Sequence, residues 1–275
     1  MTSPQQLRAS VDEVLELHDT GDLDAALTAA EALAASAEEA DTADPVVRES
    51  VFAARFERAL LLTELGELER AAEAYAAAAA TPADPDDPDQ RHEIAMAQLN
   101  RAICLEAIGD GEAALDVYEQ LVERFRHAED PVTADQVVRA RVNRAATLLG
   151  LERHEEALAG AGAVVAELDR TTGLGAEQVA MGVRVQMAAL VALDRSEEAV
   201  AAGAVLDGCD DEETGARIQV ATARRDRASI LASLERAEDA IRELDTTLAR
   251  IEGDPDPDVG TVVTELRADR ARLAG

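Results

Sequence analysis

A unit of 41 to 45 residues repeats along the chain, and this repeat constrains the fold more than any other feature. Each copy reads as an apolar-periodic segment, a short turn, and a second apolar-periodic segment, which is the pattern of a helical hairpin. In the copy NRAICLEAIGDGEAALDVY the turn falls at Gly109-Asp110, and Ala114, Leu115 and Tyr118 follow at helical spacing. Repeats of this length are typical of solenoids, in which stacked units share one continuous core.

Three markers recur in phase. The turn column contains Gly21, Gly66, Gly109, Glu152, Asp194 and Glu235. Eight residues before the turn lies an arginine column containing Arg58, Arg101, Arg144, Arg227 and Arg270, with Gln186 in place of one further member. The third marker is an aspartate followed by a proline, at Asp44-Pro45, Asp87-Pro88 and Asp130-Pro131. Proline is well tolerated at the first helical position and aspartate caps free N–H groups, so each pair predicts the start of a hairpin's first helix.

The repeat predicts an all-α chain of six hairpins and a C-terminal capping helix, in a single domain over residues 1–275. We expect the hairpins at about 3–40, 46–80, 89–128, 132–169, 174–208 and 215–252, and the capping helix at about 258–273. The fifth hairpin diverges most, because Gly173 replaces the proline and Val185-Gln186-Met187 replaces Asn-Arg-Ala. The last helix is expected to cover the exposed face of the sixth hairpin.

Composition narrows the class of partner. The formal net charge is -31 and all 26 basic residues are arginine, which argues against nucleic-acid or anionic-membrane binding because phosphates would be repelled. No apolar run approaches the roughly 18 residues of a membrane span, and the N-terminus lacks a signal-peptide pattern. A cytoplasmic location is therefore expected. Cys104 and Cys209 lie in different repeats, so neither a disulfide nor a zinc site is expected.

The turn and the alanine that follows it resemble the tetratricopeptide repeat family. The resemblance is carried by Gly66 with Ala71, Gly109 with Ala114, Glu152 with Ala157, Asp194 with Ala199 and Glu235 with Ala240. The period exceeds the family's usual length of about 34 residues, and in this it is similar to the repeats of kinesin light chains and of bacterial peptide-sensing regulators. The resemblance implies a right-handed α-solenoid whose first helices line a concave groove that binds a protein or peptide.

Candidate groove residues follow from helical spacing. Residues thirteen, ten, nine and six positions before the turn share one face of each first helix. Those selected as a peptide-binding groove are Phe56, Leu99, Asn100, Ile103, Arg139, Val142, Asn143, Arg184 and Arg225. Apolar ligand groups would meet the apolar members, the two asparagines would hold the peptide backbone, and the arginines would bind acidic groups or a C-terminal carboxylate.

The same residues admit other interpretations. The arginines would equally pair with acids on neighbouring helices, and Phe56, Leu99 and Val142 would equally pack between repeats. A sensor of a small signalling peptide and a self-associating structural scaffold are the other binding interpretations. An enzyme is not expected, because the four histidines are isolated in different repeats and no nucleophile or glycine-rich loop motif occurs. Nothing in the sequence predicts a catalytic residue, a cofactor or a metal.

Overall fold

The computed structural model describes residues 4–37, 42–84, 87–209 and 212–275. Within these ranges the chain forms thirteen α-helices and one short 3-10 helix, and no strand occurs there. The α-helices are α1 (Pro4–Asp19), α2 (Leu23–Ala37), α3 (Pro45–Glu64), α4 (Leu68–Ala79), α5 (Pro88–Ala107), α6 (Gly111–Phe125), α7 (Pro131–Gly150), α8 (His154–Glu167), α9 (Gly173–Ala192), α10 (Ser196–Ala202), α11 (Thr214–Ser233), α12 (Ala237–Ile251) and α13 (Pro257–Ala274). The 3-10 helix, Gly203–Gly208, continues α10.

Consecutive helices pack as antiparallel pairs that stack on one another. Helix α3 packs against α4, α5 against α6, and α11 against α12. Second helices also contact the first helix of the next hairpin, as α4 does with α5 and α8 does with α9. The last helix, α13, packs against both α11 and α12. The predicted all-α fold of stacked hairpins with a capping helix is thereby confirmed.

The internal contacts divide the chain into two compact units, Met1–Ala140 and Arg141–Gly275, and the boundary falls within α7. The first unit contains α1 to α6 and the start of α7, and the second contains the rest of α7 and α8 to α13. Each unit therefore contains complete hairpins of its own.

Every hairpin turn places one residue in the left-handed region of backbone conformation. These residues are the predicted turn column, with φ between 58° and 85° at Gly21, Gly66, Gly109, Glu152, Asp194 and Glu235. The next residue in each case donates its N–H to a carbonyl five residues back, as in Glu67 N to Leu62 O at 2.8 Å and Arg236 N to Leu231 O at 3.0 Å. This bonding satisfies carbonyls at the helix end and reverses the chain.

Small side chains let the two helices of a hairpin approach closely. The alanine five residues after the turn has no exposed surface in any hairpin: Ala26, Ala71, Ala114, Ala157, Ala199 and Ala240. Because these alanines let the helices pack closely, the space between the helices does not need to be filled by aromatic side chains, which are rare in this chain. Both cysteines are also interior residues, Cys104 in the first unit and Cys209 in the second, and neither forms a disulfide.

The Asp-Pro pairs begin helices as predicted. In α3 the Asp44 carboxylate accepts from Val46 N at 2.9 Å, and in α7 the Asp130 carboxylate accepts from Thr133 N at 2.8 Å. Helix α13 begins in the same way, with Asp256 accepting from Asp258 N at 2.9 Å. These carboxylates satisfy N–H groups that the helix itself leaves free.

In the fifth and sixth hairpins a glutamate carboxylate lies against a glycine near this position. A Cβ on Gly173, the first residue of α9, would overlap the Glu213 carboxylate, and a Cβ on Gly215 in α11 would approach the Glu177 carboxylate to 2.7 Å. Each glutamate thus approaches the start of the neighbouring first helix, where the helix dipole favours negative charge.

Candidate functional site

The candidate site is a face formed by the first helices of successive hairpins. We call it the first-helix face. Its residues lie thirteen, ten, nine and six positions before each turn residue, and it extends one further helical turn towards that turn residue. In the first unit α1 and α3 pack side by side, and in the second unit α9 packs against α11 and α11 against α13. Each unit therefore presents its own first-helix face.

The apolar members of the predicted groove mostly lie in the interior. Phe56, Leu99 and Val142 expose 8%, 1% and 1% of their surfaces. Phe56 stacks on Phe52 at 5.5 Å between ring centroids and meets Tyr75 edge-on at the same distance. These three residues pack between helices, which agrees with the alternative interpretation of their pattern.

Ile103 and Arg139 reach the surface of the first unit, and Ile103 exposes 40% of its area. Asn100 is half-buried and lies near the Tyr75 hydroxyl. Asn143, at the equivalent position of α7, is also half-buried.

In the second unit the predicted arginines are paired with acids of the next first helix. Arg184 Nε lies 2.7 Å from Asp226 Oδ2, and Arg225 Nε lies 2.5 Å from Asp269 Oδ2. Arg225 also contacts Glu265 at 2.6 Å, and these carboxylates raise its pKa above the usual value, with the Asp269 hydrogen bond as the largest cause. The arginines therefore form a ladder of ion pairs between hairpins.

The sequence contains a pattern that predicts this ladder, and the pattern lies in the spacing of the acids relative to the arginines. Asp226 lies nine positions before its turn residue, and Asp269 occupies the equivalent position of the capping helix. Each acid follows the arginine that it binds by one period of the repeat. An acid that recurs one period after a base predicts a contact between neighbouring repeats.

A small cavity lies beside the last pair of this ladder. It has a volume of about 80 Å³ and lies between α11, α12 and α13. Its charged lining is Arg225, Asp269 and Arg272, and its remaining lining is Ala228, Ser229, Ala232, Leu244 and Leu273.

The first unit carries a second surface, and Ile103 is the one predicted groove residue that belongs to it. Leu15 exposes 38% of its area and Leu60 is half-buried, and both occupy the position of Ile103, six residues before the turn. Acids flank the two leucines on their own helices, Asp12 and Asp19 on α1 and Glu57 and Glu64 on α3. We call Leu15, Leu60 and Ile103, with these four acids, the acid-rimmed stripe.

One histidine already bridges the two helices at this stripe. His18 of α1 places Nε2 at 3.0 Å from Glu64 Oε1 and Nδ1 at 3.4 Å from Glu57 Oε2. Both ring nitrogens can donate only when the imidazole is charged. The Glu64 hydrogen bond is the main cause that raises the pKa of His18, and burial is the main cause that raises the pKa of Glu57.

Titratable side chains do not converge on a metal site in the part of the chain that the structure describes. No group of three or more histidine, cysteine, aspartate or glutamate side chains there could hold a metal ion. Across the same residues, no helix is both long enough and apolar enough to cross a membrane.

Comparison with known proteins places the fold. No protein-family model matches the sequence, and no curated protein is significantly similar to it. Among solved structures, a kinesin-light-chain-like protein of Podospora anserina with nearly identical TPR-like repeats has a TM-score of 0.54 at 18% identity, over 86% of this chain and 99% of that one. A Rap protein complexed with competence and sporulation factor has a TM-score of 0.50 at 12% identity, over 99% of this chain and 88% of that one.

These similarities concern the fold. The resemblance to the family was based on the turn residue and the alanine five residues later. In the structure the turn residue is left-handed and the alanine is buried in each of the six hairpins. The Podospora anserina neighbour is described by its TPR-like repeats. The chain has the fold of the tetratricopeptide repeat proteins.

Proposed function

We propose that this chain is a non-catalytic scaffold that binds a segment of a partner protein, or a peptide, on its first-helix face. The fold supports this, since stacked hairpins present extended surfaces and the Rap protein of similar fold was solved in a complex with a factor. The predicted groove arginines of the second unit fit a structural scaffold as well, because Arg184 and Arg225 form ion pairs between neighbouring first helices.

The observation that carries the proposal is the exposed apolar row of the first unit. Leu15 and Ile103 expose 38% and 40% of their surfaces at equivalent positions of two hairpins, with Leu60 between them. Single exposed apolar residues are ordinary, whereas a row in register with a repeat offers a continuous contact surface.

Site-specific photo-crosslinking tests the proposal. A benzophenone amino acid replaces Ile103 on the first-helix face or, as a matched control, Glu119 on the exposed side of the second helix α6. We expect a discrete partner adduct from position 103 in cells that express the protein, and none from position 119. Adducts of equal yield from both positions, or from position 119 alone, would contradict the proposal.

A carboxylate ligand at the second unit is a second candidate, and the cavity beside Arg225 favours it. Arg225 and Arg272 supply guanidinium groups, Ser229 supplies a hydroxyl, and Leu244 and Leu273 supply an apolar wall for a small side chain. Such a ligand would compete with Asp269, which contacts both arginines.

Matched short peptides test this candidate. A peptide with a free C-terminal carboxylate should bind the protein and its amidated form should not, and Arg272→Gln should weaken only the former. Equal binding of both peptide forms would exclude carboxylate recognition, and it would leave the first-helix face of the first unit unaffected.

A further inference from the structure

A short pattern is repeated on the first two hairpins of the first unit. Asp12, Leu15 and Asp19 on α1 have the same spacing as Glu57, Leu60 and Glu64 on α3, so an acid precedes each leucine by three residues and another follows it by four. On a helix these three residues are neighbours on one face. Each leucine is therefore flanked by carboxylates along its own helix.

Contacts between the helices bring the two patterns together. His18 lies three residues after Leu15, and its ring contacts both of the acids that flank Leu60. At the same level Thr63 of α3 contacts Cys104 of α5, the residue after Ile103, at 3.8 Å. Leu15, Leu60 and Ile103 thus follow one another across three first helices.

The first-helix face of the first unit carries more acids than bases. At the positions that define this face, the basic residues are Arg8 on α1 and Arg139 on α7, and His18 lies beside them. The four acids of the stripe outnumber these basic residues around the leucines. In the second unit, by contrast, Arg184 and Arg225 are each neutralised by acids on the same face.

We propose that the acid-rimmed stripe binds a basic amphipathic segment of a partner protein. The segment's apolar side chains pack on Leu15, Leu60 and Ile103, and its lysines or arginines pair with the flanking carboxylates. In the contacts of His18 with Glu57 and Glu64, ring nitrogens of one helix already lie against carboxylates of the next. This inference rests on the proposed scaffold function and specifies the chemistry of the partner.

Designed peptides provide the test. A fluorescently labelled helical peptide of leucine and lysine, with the leucines on one face, is compared with the same peptide carrying glutamate in place of lysine. We expect only the lysine peptide to bind in fluorescence anisotropy, and its affinity to fall as NaCl rises from about 0.1 M to about 1 M. Leu15→Ser with Ile103→Ser should weaken that binding about tenfold through lost apolar contact.

Charge variants separate a specific site from general attraction to an acidic protein. The triple variant Asp12→Asn, Asp19→Asn, Glu64→Gln should weaken the lysine peptide about tenfold, whereas Glu69→Gln with Glu73→Gln on the exposed side of α4 should not. Circular dichroism confirms that each variant is folded.

The possible outcomes separate this inference from the proposed scaffold function on which it rests. Equal weakening by the α4 variants would show non-specific attraction and overturn the inference. Binding of the glutamate peptide alone, with sensitivity to Leu15 and Ile103, would overturn the basic partner and retain the scaffold. Binding of neither peptide would overturn the inference, and crosslinking at Ile103 would then decide the scaffold function separately.

Discussion

The residue that closes each hairpin turn adopts the left-handed conformation whether or not it is glycine. In the first three hairpins it is glycine, whereas Glu152, Asp194 and Glu235 hold φ near 60° in the last three. A side chain in this region costs about 1 kcal/mol, because Cβ approaches the following carbonyl oxygen. The second unit therefore carries three small strains that the first unit avoids.

Replacing such a residue with glycine should stabilise the protein. We expect Asp194→Gly and Glu235→Gly each to raise the free energy of unfolding by about 0.5–1 kcal/mol, measured by urea denaturation. Ala192→Gly, two residues earlier at the helical end of α9, is the control and should lower it by a similar amount. A loss of stability in Asp194→Gly would mean that its side chain contributes more than its backbone costs.

Glu93 gives the chain a residue-specific dependence on pH. Burial is the main cause that raises the pKa of Glu93 from 4.5 to about 7, and the charges of Glu49, Asp87 and Asp89 add to it. Because the folded pKa is raised, the stabilising contribution is present below pH 4.5 and is lost as the pH rises through about 7.

Glu93→Gln should therefore be more stable than the wild type above pH 7 and lose this advantage near pH 4.5. After allowance for solvent screening the gain is about 1 kcal/mol. Urea denaturation at both pH values measures it, with Glu73→Gln as the control for the loss of one exposed surface charge. An advantage of the same size at both pH values would contradict the assigned cause.

The sequence predicts the conformation of residues when that conformation depends only on the local backbone. The turn column was predicted because glycine at three of its members identifies a left-handed position, and the period extends it to Asp194. The environment of Arg184 could not be predicted in the same way. Its state depends on Asp226, 42 residues along the chain, and on the packing of α9 against α11.

Helix α11 is held in the second unit by hydrogen bonds and ion pairs of its arginines. Arg224 exposes 3% of its surface, donates to the carbonyl of Leu206 at 3.0 Å, and lies 3.8 Å from Glu243 of α12. Arg227 holds the other oxygen of Glu243 at 3.1 Å. Removal of Arg224 is costly, because the Leu206 carbonyl loses its donor and Glu243 keeps only one of its two neighbouring guanidinium groups.

Arg224→Met should therefore lower the free energy of unfolding by about 3 kcal/mol in urea denaturation. Arg242→Met is the matched control, since that side chain is 71% exposed and pairs with Asp239 within α12, and it should change stability by less than about 1 kcal/mol. Equal effects would show that Arg224 is compensated by rearrangement of its neighbours.

The starts of the first helices show what a sequence can predict about its helices. Pro45 and Pro131 mark their helices because proline and the aspartate before it act locally. Gly173 also begins a first helix, and the Glu213 carboxylate, 40 residues away in the sequence, lies against it. A contact of this kind becomes visible only when the hairpins are placed side by side.

Over the chain as a whole, acidic residues outnumber basic ones by 57 to 26. Repulsion among like charges opposes a compact state, and salt shortens its range from about 10 Å at 0.1 M to about 3 Å at 1 M. The thermal midpoint should therefore rise over this range of NaCl, as followed by circular dichroism. KCl at equal ionic strength should give the same rise. A falling midpoint would show that the exposed ion pairs contribute more than the repulsion does.

The two interior thiols have a consequence for how opening of the chain is observed. Cys104 is 3% exposed and belongs to the first unit, and Cys209 is 5% exposed and belongs to the second. A thiol-reactive dye can modify either one only while its surroundings are transiently open, so the two labelling rates follow separate breathing motions. A variant in which one cysteine is replaced by alanine keeps a single thiol, and its labelling rate reports on the unit that contains that thiol.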